Sequence, residues 1–239
     1  MKRNFPWVLA VGLFLLLSLY ANAGVKASQV NILDYEGCGK DGDLWTYNYT
    51  APPGTPGFTV SLVKLTAGEY AGKYRMGDWR KPDGSTEWWI SDGDASHAYL
   101  YYHSQLGAFA PPRVIEGWQE LEKPIPNPFN LDPNNPKYLK LLASLTVTAG
   151  TFNDILISID LDKNYPPNKY NDLYGLDRQT IPWGVTGIQW YARGFGAIAD
   201  ENVDAATGNQ VSKYDLVSTT VKPKFKAPVA SFLILLLEN

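Results

Sequence analysis

The clearest pattern in this chain lies at residues 153–160, where Ile155, Ile157 and Ile159 alternate with Asp154, Leu156, Ser158 and Asp160. One face of that segment is wholly apolar and the other is mixed, which suits a strand in a sheet with a single buried face. Shorter runs of strand-forming residues, divided by turn residues, predict further strands at 44–49, 58–66, 70–76, 86–91 and 98–103, then at 144–148, 187–193, 195–200 and 211–221. Between two of them, Lys81-Pro82-Asp83-Gly84 predicts a hairpin, because proline presets φ and glycine accepts a positive one.

The alternation fails at 111–136. Pro124, Pro126, Pro128, Pro133 and Pro136 remove backbone donors there, so a central strand is forbidden and a long connection crossing the sheet is expected. A short helix is expected at 136–143, with Pro136 in its first turn and Tyr138, Leu139, Leu141 and Leu142 as apolar contacts. The apolar run 229–237 is too short to cross a bilayer as a helix and reads as a final buried strand or as a tail for docking.

Composition strengthens the β reading. The chain has 21 Gly, 17 Pro and 13% aromatic residues, and long Ala, Leu, Glu and Lys stretches at helical spacing are missing. The expected fold is mainly β: one strongly curved antiparallel sheet, a half-barrel, with a long Pro-rich connection and little helix. Residues 24–221 would form the β domain and 222–239 an apolar C-terminal tail.

The N-terminus says where the protein goes. Lys2 and Arg3 precede an apolar run at 8–19, followed by Ala21-Asn22-Ala23, the layout of a cleavable signal peptide at 1–23. A periplasmic or extracellular location is expected, with no membrane span after cleavage. Loss of Lys2 and Arg3 leaves 19 basic against 24 acidic residues, a balance of −5 in place of −3. That argues against nucleic acid as a partner, which needs a basic patch to displace counterions. Cys38 is the one cysteine, so no intramolecular disulfide forms, and one Cys with two His cannot make a structural zinc site.

Three motifs occur in order: Gly42-Asp43-Leu44-Trp45-Thr46-Tyr47, Val147-Thr148-Ala149-Gly150-Thr151-Phe152, and Trp190-Tyr191-Ala192-Arg193-Gly194-Phe195-Gly196. Together they resemble the pattern G-x-x-W-x-Y, V-x-A-G-T-F, W-Y-A-x-G-V-G of a diffuse group of exported bacterial β-sheet proteins of uncharacterised function. The resemblance covers about Asp34 to Val221 and implies a curved sheet similar to the half-barrels of periplasmic lipoprotein carriers. It implies no activity. Phe195 departs from the usual Val, and the chain runs on past Val221 where such proteins stop. Read physically, Trp45, Tyr47, Gly150, Phe152, Trp190, Tyr191, Gly194 and Gly196 are fold signals, the glycines allowing tight turns and close backbone approach.

Candidate chemistry is sparse. No G-x-S-x-G occurs, so a nucleophile elbow is missing. His97 and His103, six apart on one strand, are expected on one face but roughly 20 Å apart. Asp160, Asp162 and Asn164 have the alternate oxygen spacing of a calcium loop, without the Gly and Glu of an EF-hand, so calcium is the one cofactor left open. Asp92 and Asp94 offer a similar pair. The aromatic cluster Trp79, Trp88, Trp89, Tyr99, Tyr101 and Tyr102 is the best binding candidate, with Trp88 and Trp89 expected on opposite faces, as are Tyr101 and Tyr102. Glu69, Asp78, Glu87 and Asp92 could supply a glycosidase pair, but no spacing selects two of them. The leading reading is a non-enzymatic binder of an apolar ligand, lipid or envelope protein. A surface carbohydrate-binding module acting on a glycan, and a secreted hydrolase with a carboxylate pair, are the alternatives.

Overall fold

The computed structural model describes residues 29–36, 39–127 and 132–223. The signal peptide expected at 1–23, Cys38 and the apolar run 229–237 lie outside these residues. In chain order the elements are β1 (Gln29–Asn31), α1 (Leu33–Glu36), β2 (Leu44–Ala51), β3 (Phe58–Lys64), β4 (Tyr74–Arg80), β5 (Thr86–Gly93), β6 (His97–His103) and β7 (Gly107–Glu116). There follow β8 (Trp118–Glu120), β9 (Pro124–Ile125), β10 (Lys137–Val147), β11 (Gly150–Asp162), α2 (Lys169–Leu173), β12 (Gly184–Ala192), β13 (Gly196–Val203) and β14 (Gln210–Thr219).

Twelve strands form one antiparallel sheet in the order β7-β6-β5-β4-β3-β2-β14-β13-β12-β11-β10-β9, and β1 pairs with β8 in a separate ribbon. The sheet is strongly curved. Ten steps separate β7 from β10, roughly 48 Å in a flat sheet at ~4.8 Å per step. Yet Ile115 of β7, Leu139 of β10 and Leu156 of β11 share one buried cluster with Val30, Ile32 and Tyr35 from β1 and α1. Arg113 of β7 also donates to the Asn127 carbonyl, just beyond β9, at 3.4 Å. The sheet therefore rolls until its edges face each other across β1 and α1, without closing into a barrel, and the face carrying Ile115, Leu139 and Leu156 is the concave one. On the opposite face Ile155, Ile157, Ile159, Ile188 and Trp190 are buried together with Tyr170, Leu176 and Ile181 of the segment around α2.

Several expectations need correction. The helix expected at 136–143 is strand β10, paired with β11 from Lys137↔Asp160 to Val147↔Gly150. Tyr138, Leu139, Leu141 and Leu142 satisfy both periods locally, and the long ladder to β11 decides between them. The 111–136 connection is not wholly irregular: Pro111 and Pro112 lie on β7 and Pro124 on β9. Both are edge strands, where a missing N–H leaves no ladder bond broken. Strands β1, β7, β8 and β9 and helices α1 and α2 were not anticipated.

A bulge on β6 changes two further placements. Ile90 pairs with Tyr102 and Ser91 with Leu100, so Tyr101 is the extra residue and the alternation slips by one. His97 and His103 consequently face opposite sides. Tyr101 and Tyr102, expected apart, lie on one side and both approach Tyr70, at 6.3 and 6.4 Å between ring centroids.

The three motifs meet at one end of the roll. Trp45 is fully buried, and its Nε1 donates to the Phe195 carbonyl at 2.6 Å, while Tyr47 donates to the Ala197 carbonyl at 2.9 Å. Phe152 packs edge-on against Phe195 at 5.1 Å. The hairpin tip reaches across to β14, with Ala149 N donating to the Leu216 carbonyl at 2.9 Å. Gly196 has φ +91, and a Cβ there would stand 3.4 Å from Trp45 Nε1, so glycine serves both backbone and neighbour. Replacing Trp45 by Phe keeps an aromatic ring but leaves the Phe195 carbonyl without its donor. W45F should lower stability by about 1–3 kcal/mol, read as a shift of the urea midpoint at unchanged slope, and an unaltered midpoint would contradict the role given to this bond.

Candidate functional site

Exposure changes along the concave face in a graded way. Toward the end sealed by Trp45, the side chains Trp45, Tyr47, Val60 and Leu216 are fully buried. Toward the other end, Tyr49, Trp79, Trp89 and Tyr214 are half-buried. These rings form one cluster with Tyr47 and Phe58. Tyr47 lies 5.1 Å from Phe58, 5.2 Å from Trp79 and 5.2 Å from Tyr214, and Trp79 stacks on Trp89 at 6.0 Å with 10° between planes. A bulge on β4 between Met76 and Trp79 brings both side chains onto this face, opposite Trp89 and Glu87. Trp79 Nε1 is buried and, among the described residues, finds no acceptor. Beside the rings, His103 Nε2 lies 2.8 Å from Glu87 Oε1.

Next to the aromatic cluster the concave face carries charge. Lys137 is buried, its Nζ donating to Ser158 Oγ and Gln189 Oε1, both at 3.1 Å, and standing 3.5 Å from Asp160 Oδ1. Asn127 Nδ2 donates to Asp160 Oδ1 at 3.4 Å, and the Tyr191 hydroxyl to Gln189 Oε1 at 3.2 Å. Asp200, the cross-strand partner of Tyr214, is buried and accepts from Asn202 Nδ2 at 3.1 Å. Burial pushes its carboxyl up to about 7, the neighbouring Asp160 charge adds to the rise, and Gln189 and Lys137 oppose it. Glu36 of α1 faces the same group and is also pushed up to about 7, chiefly by burial and against the pull of Lys137. Asp160 was singled out as a calcium ligand, but Glu36, Lys137 and Asp200 were not anticipated. The one signal was the mixed face of 153–160, whose Ser158 and Asp160 point inward and not to solvent.

The five expected ligand residues divide between the two faces. Trp79 and Trp89 lie in the concave cluster. Trp88 lies on the outer face between Arg75 of β4 and Tyr102 of β6, each about 4.9 Å from its ring. Tyr101 sits under Lys73 Nζ at 4.8 Å, and Tyr99 packs near His97 at 6.2 Å. Of the expected metal ligands, Asp160 is engaged with Lys137 and Asn127, and Asp162 Oδ1 accepts from the Asn164 amide at 2.8 Å, closing a turn. Among the described residues no group of three His, Cys, Asp or Glu side chains gathers as a metal would require. Asp78 pairs with Arg75, Asp92 with Lys73 and Glu87 with Lys81, so these three carboxylates are held in separate ion pairs.

The motif residues serve the fold. Gly150 and Gly194, at φ +134 and +78, turn the β10–β11 and β12–β13 hairpins, and the Gly194 amide donates to the Asp34 carbonyl at 2.8 Å. Arg193 bridges Asp34 at 2.7 Å and Asp154 at 3.3 Å, and Tyr35 donates to Asp154 at 2.7 Å, tying α1 to the sheet. Trp190 is buried on the outer face, 6.3 Å from Tyr174. A groove of about 850 Å³ opens where Phe152, Asp154, Arg193, Phe195 and Ser218 converge.

No protein-family model matches this chain, and no curated protein matches it. Among solved structures, a candidate lipoprotein from Parabacteroides distasonis ATCC 8503 is similar at 13% identity, over 77% of this chain and 97% of that one, with a TM-score of 0.37.

The two raised carboxyls have a consequence for stability. Glu36 and Asp200 hold their protons more tightly folded than unfolded, so the unfolded chain ionises first as pH rises from about 4 toward about 7, and folding loses stability across that window. Asp83, Asp92 and Asp94 are shifted the other way, and their contribution is lost only below the usual carboxylate range. The urea midpoint should therefore be higher at pH 5 than at pH 8, and D200N and E36Q should each flatten that difference. An unchanged pH dependence in both variants would show that these carboxyls ionise freely in the folded protein.

Proposed function

We propose that this is an exported, non-enzymatic binding protein whose concave face takes an apolar ligand, entering at the end where Tyr49, Trp79, Trp89 and Tyr214 are half-buried. The observation that carries the reading is that aromatic cluster: large rings on the inner side of a rolled sheet, sealed at one end by Trp45 and left partly uncovered at the other. Such concave aromatic surface gains free energy when an apolar molecule covers it, at about 25 cal/mol per Å². Trp79 Nε1 adds a requirement, because a buried donor without an acceptor is costly and a ligand oxygen would relieve it. The preferred ligand is thus apolar with an oxygen acceptor, as in a lipid carbonyl. Export rests on the signal-peptide layout at 1–23. A glycan platform at Trp88 is the weaker reading, since Arg75 and Tyr102 flank the faces a sugar would stack on.

Native mass spectrometry on residues 24–239 taken from a periplasmic extract tests the proposal. A stoichiometric apolar molecule is expected, with its occupancy reduced at least tenfold in W79A/W89A. A protein that is empty from the extract and stays empty after incubation with envelope lipids would end the reading.

A further inference from the structure

The outer edge of β10 is incompletely paired. Among the described residues, β9 covers it at Lys137 and Tyr138, and the Glu122 amide reaches the Leu139 carbonyl at 2.8 Å. Leu139 turns its backbone groups outward and Leu141 does the same; beyond the break in the ladder at Ala143, opposite Asp154 at φ +56, the tight turn bonds Val147 to Gly150, so Ser144 and Thr146 are the outward residues there. From 140 to 147 they meet no strand among the described residues. The flanks are apolar: Leu141 is 39% exposed, Leu142 40% and the nearby Leu173 69%, beside a groove of about 550 Å³. Lys140 is the one charge in this stretch. Natural edge strands are normally blunted by charge, proline or a cover, and among the described residues this one has only Lys140.

We infer that the edge is completed in cis by this chain's own apolar segment 229–237, which lies outside the described residues. The reach fits. Val221 and Pro223 line the groove opposite Ala149, Gly150 and Thr151, so the described chain ends beside the tip of the β10–β11 hairpin. Residues 224–228 extend roughly 17 Å, enough to round that tip. A strand made by 229–237 would be roughly 30 Å long against roughly 26 Å of open edge at ~3.3 Å per residue. Leaving the tip, it runs antiparallel to β10, which brings Glu238 alongside Lys140 and matches the one charge on the edge.

Size argues against a separate molecule. Stable association between chains uses roughly 800 Å² and 20–30 residues on each side, more than this edge offers, whereas a tethered segment acts at an effective concentration in the millimolar range. Leucine side chains from the segment would cover Leu141 and Leu142, and its backbone would satisfy the outward groups.

Hydrogen exchange on the full chain reads this directly. The amides of Leu141, Ser144 and Thr146 should be protected roughly 100-fold over an open edge, and I234P should abolish that protection while β11 and β12 amides stay slow. In E238K, which leaves the apolar run intact, protection should fall several-fold at Leu141 and little at Thr146. Unprotected edge amides in the native chain would overturn the proposal. So would protection that survives I234P, or that rises with protein concentration and thereby assigns the edge to a second copy.

Discussion

The ladder between β2 and β14 holds the two halves of this protein together. Its partners include Tyr49↔Tyr214, Tyr47↔Leu216 and Trp45↔Thr219, pairs separated by about 170 residues of chain. Without it, β2–β7 and β9–β14 are two sheets, each with an apolar face and a raw edge. With it they form one surface long enough to roll, and the aromatic rings of β2, β3, β4 and β14 meet on its inner side. The Trp45 bond to the Phe195 carbonyl and the Tyr47 bond to the Ala197 carbonyl reinforce that junction by reaching past β14 to β13. Closing so long a loop costs conformational entropy that only a densely packed junction repays.

Rolling creates the second constraint, a concave face too tightly enclosed to be hydrated freely. Aromatic side chains tolerate that enclosure. Charged ones do so only as a group, and Lys137, Asp160, Asp200 and Glu36 form such a group beside α1, with the neutral Gln189 accepting from Lys137. One buried cation among three carboxyls cannot balance three full charges, and the rise of Glu36 and Asp200 toward neutrality is the physical response. The interior is therefore divided into an aromatic region and a hydrogen-bonding region.

How much of this was legible in the sequence differs by element. Alternation at 153–160 and the turn at Lys81–Gly84 are local signals, and β11 and the β4–β5 hairpin follow from them. The first half of β10 was not legible, because Tyr138, Leu139, Leu141 and Leu142 fit a helix or a strand and only pairing with β11 chooses, whereas its second half falls in the strand expected at 144–148. The prolines of β7 and β9 read as strand-breaking until the sheet order makes those strands its edges. Of the candidate site, Trp79 and Trp89 could be named but not their companions Tyr49, Phe58 and Tyr214, which come from strands distant in the chain. The opposite placement of Trp88 followed from alternation, and the placement of Tyr101 did not, because a single bulge residue reverses the faces beyond it.

By itself, the sequence determined a mainly β protein: the turn glycines, the positions of most strands, and an apolar face needing cover are set by period and backbone chemistry over a few residues. The tertiary structure alone decided that β2 joins β14, that the sheet rolls until β7 meets the β9 side across α1, and that Ser158 and Asp160 face inward. Those outcomes depend on contacts between residues far apart in the chain, and local periodicity carries no information about which distant strand supplies the partner.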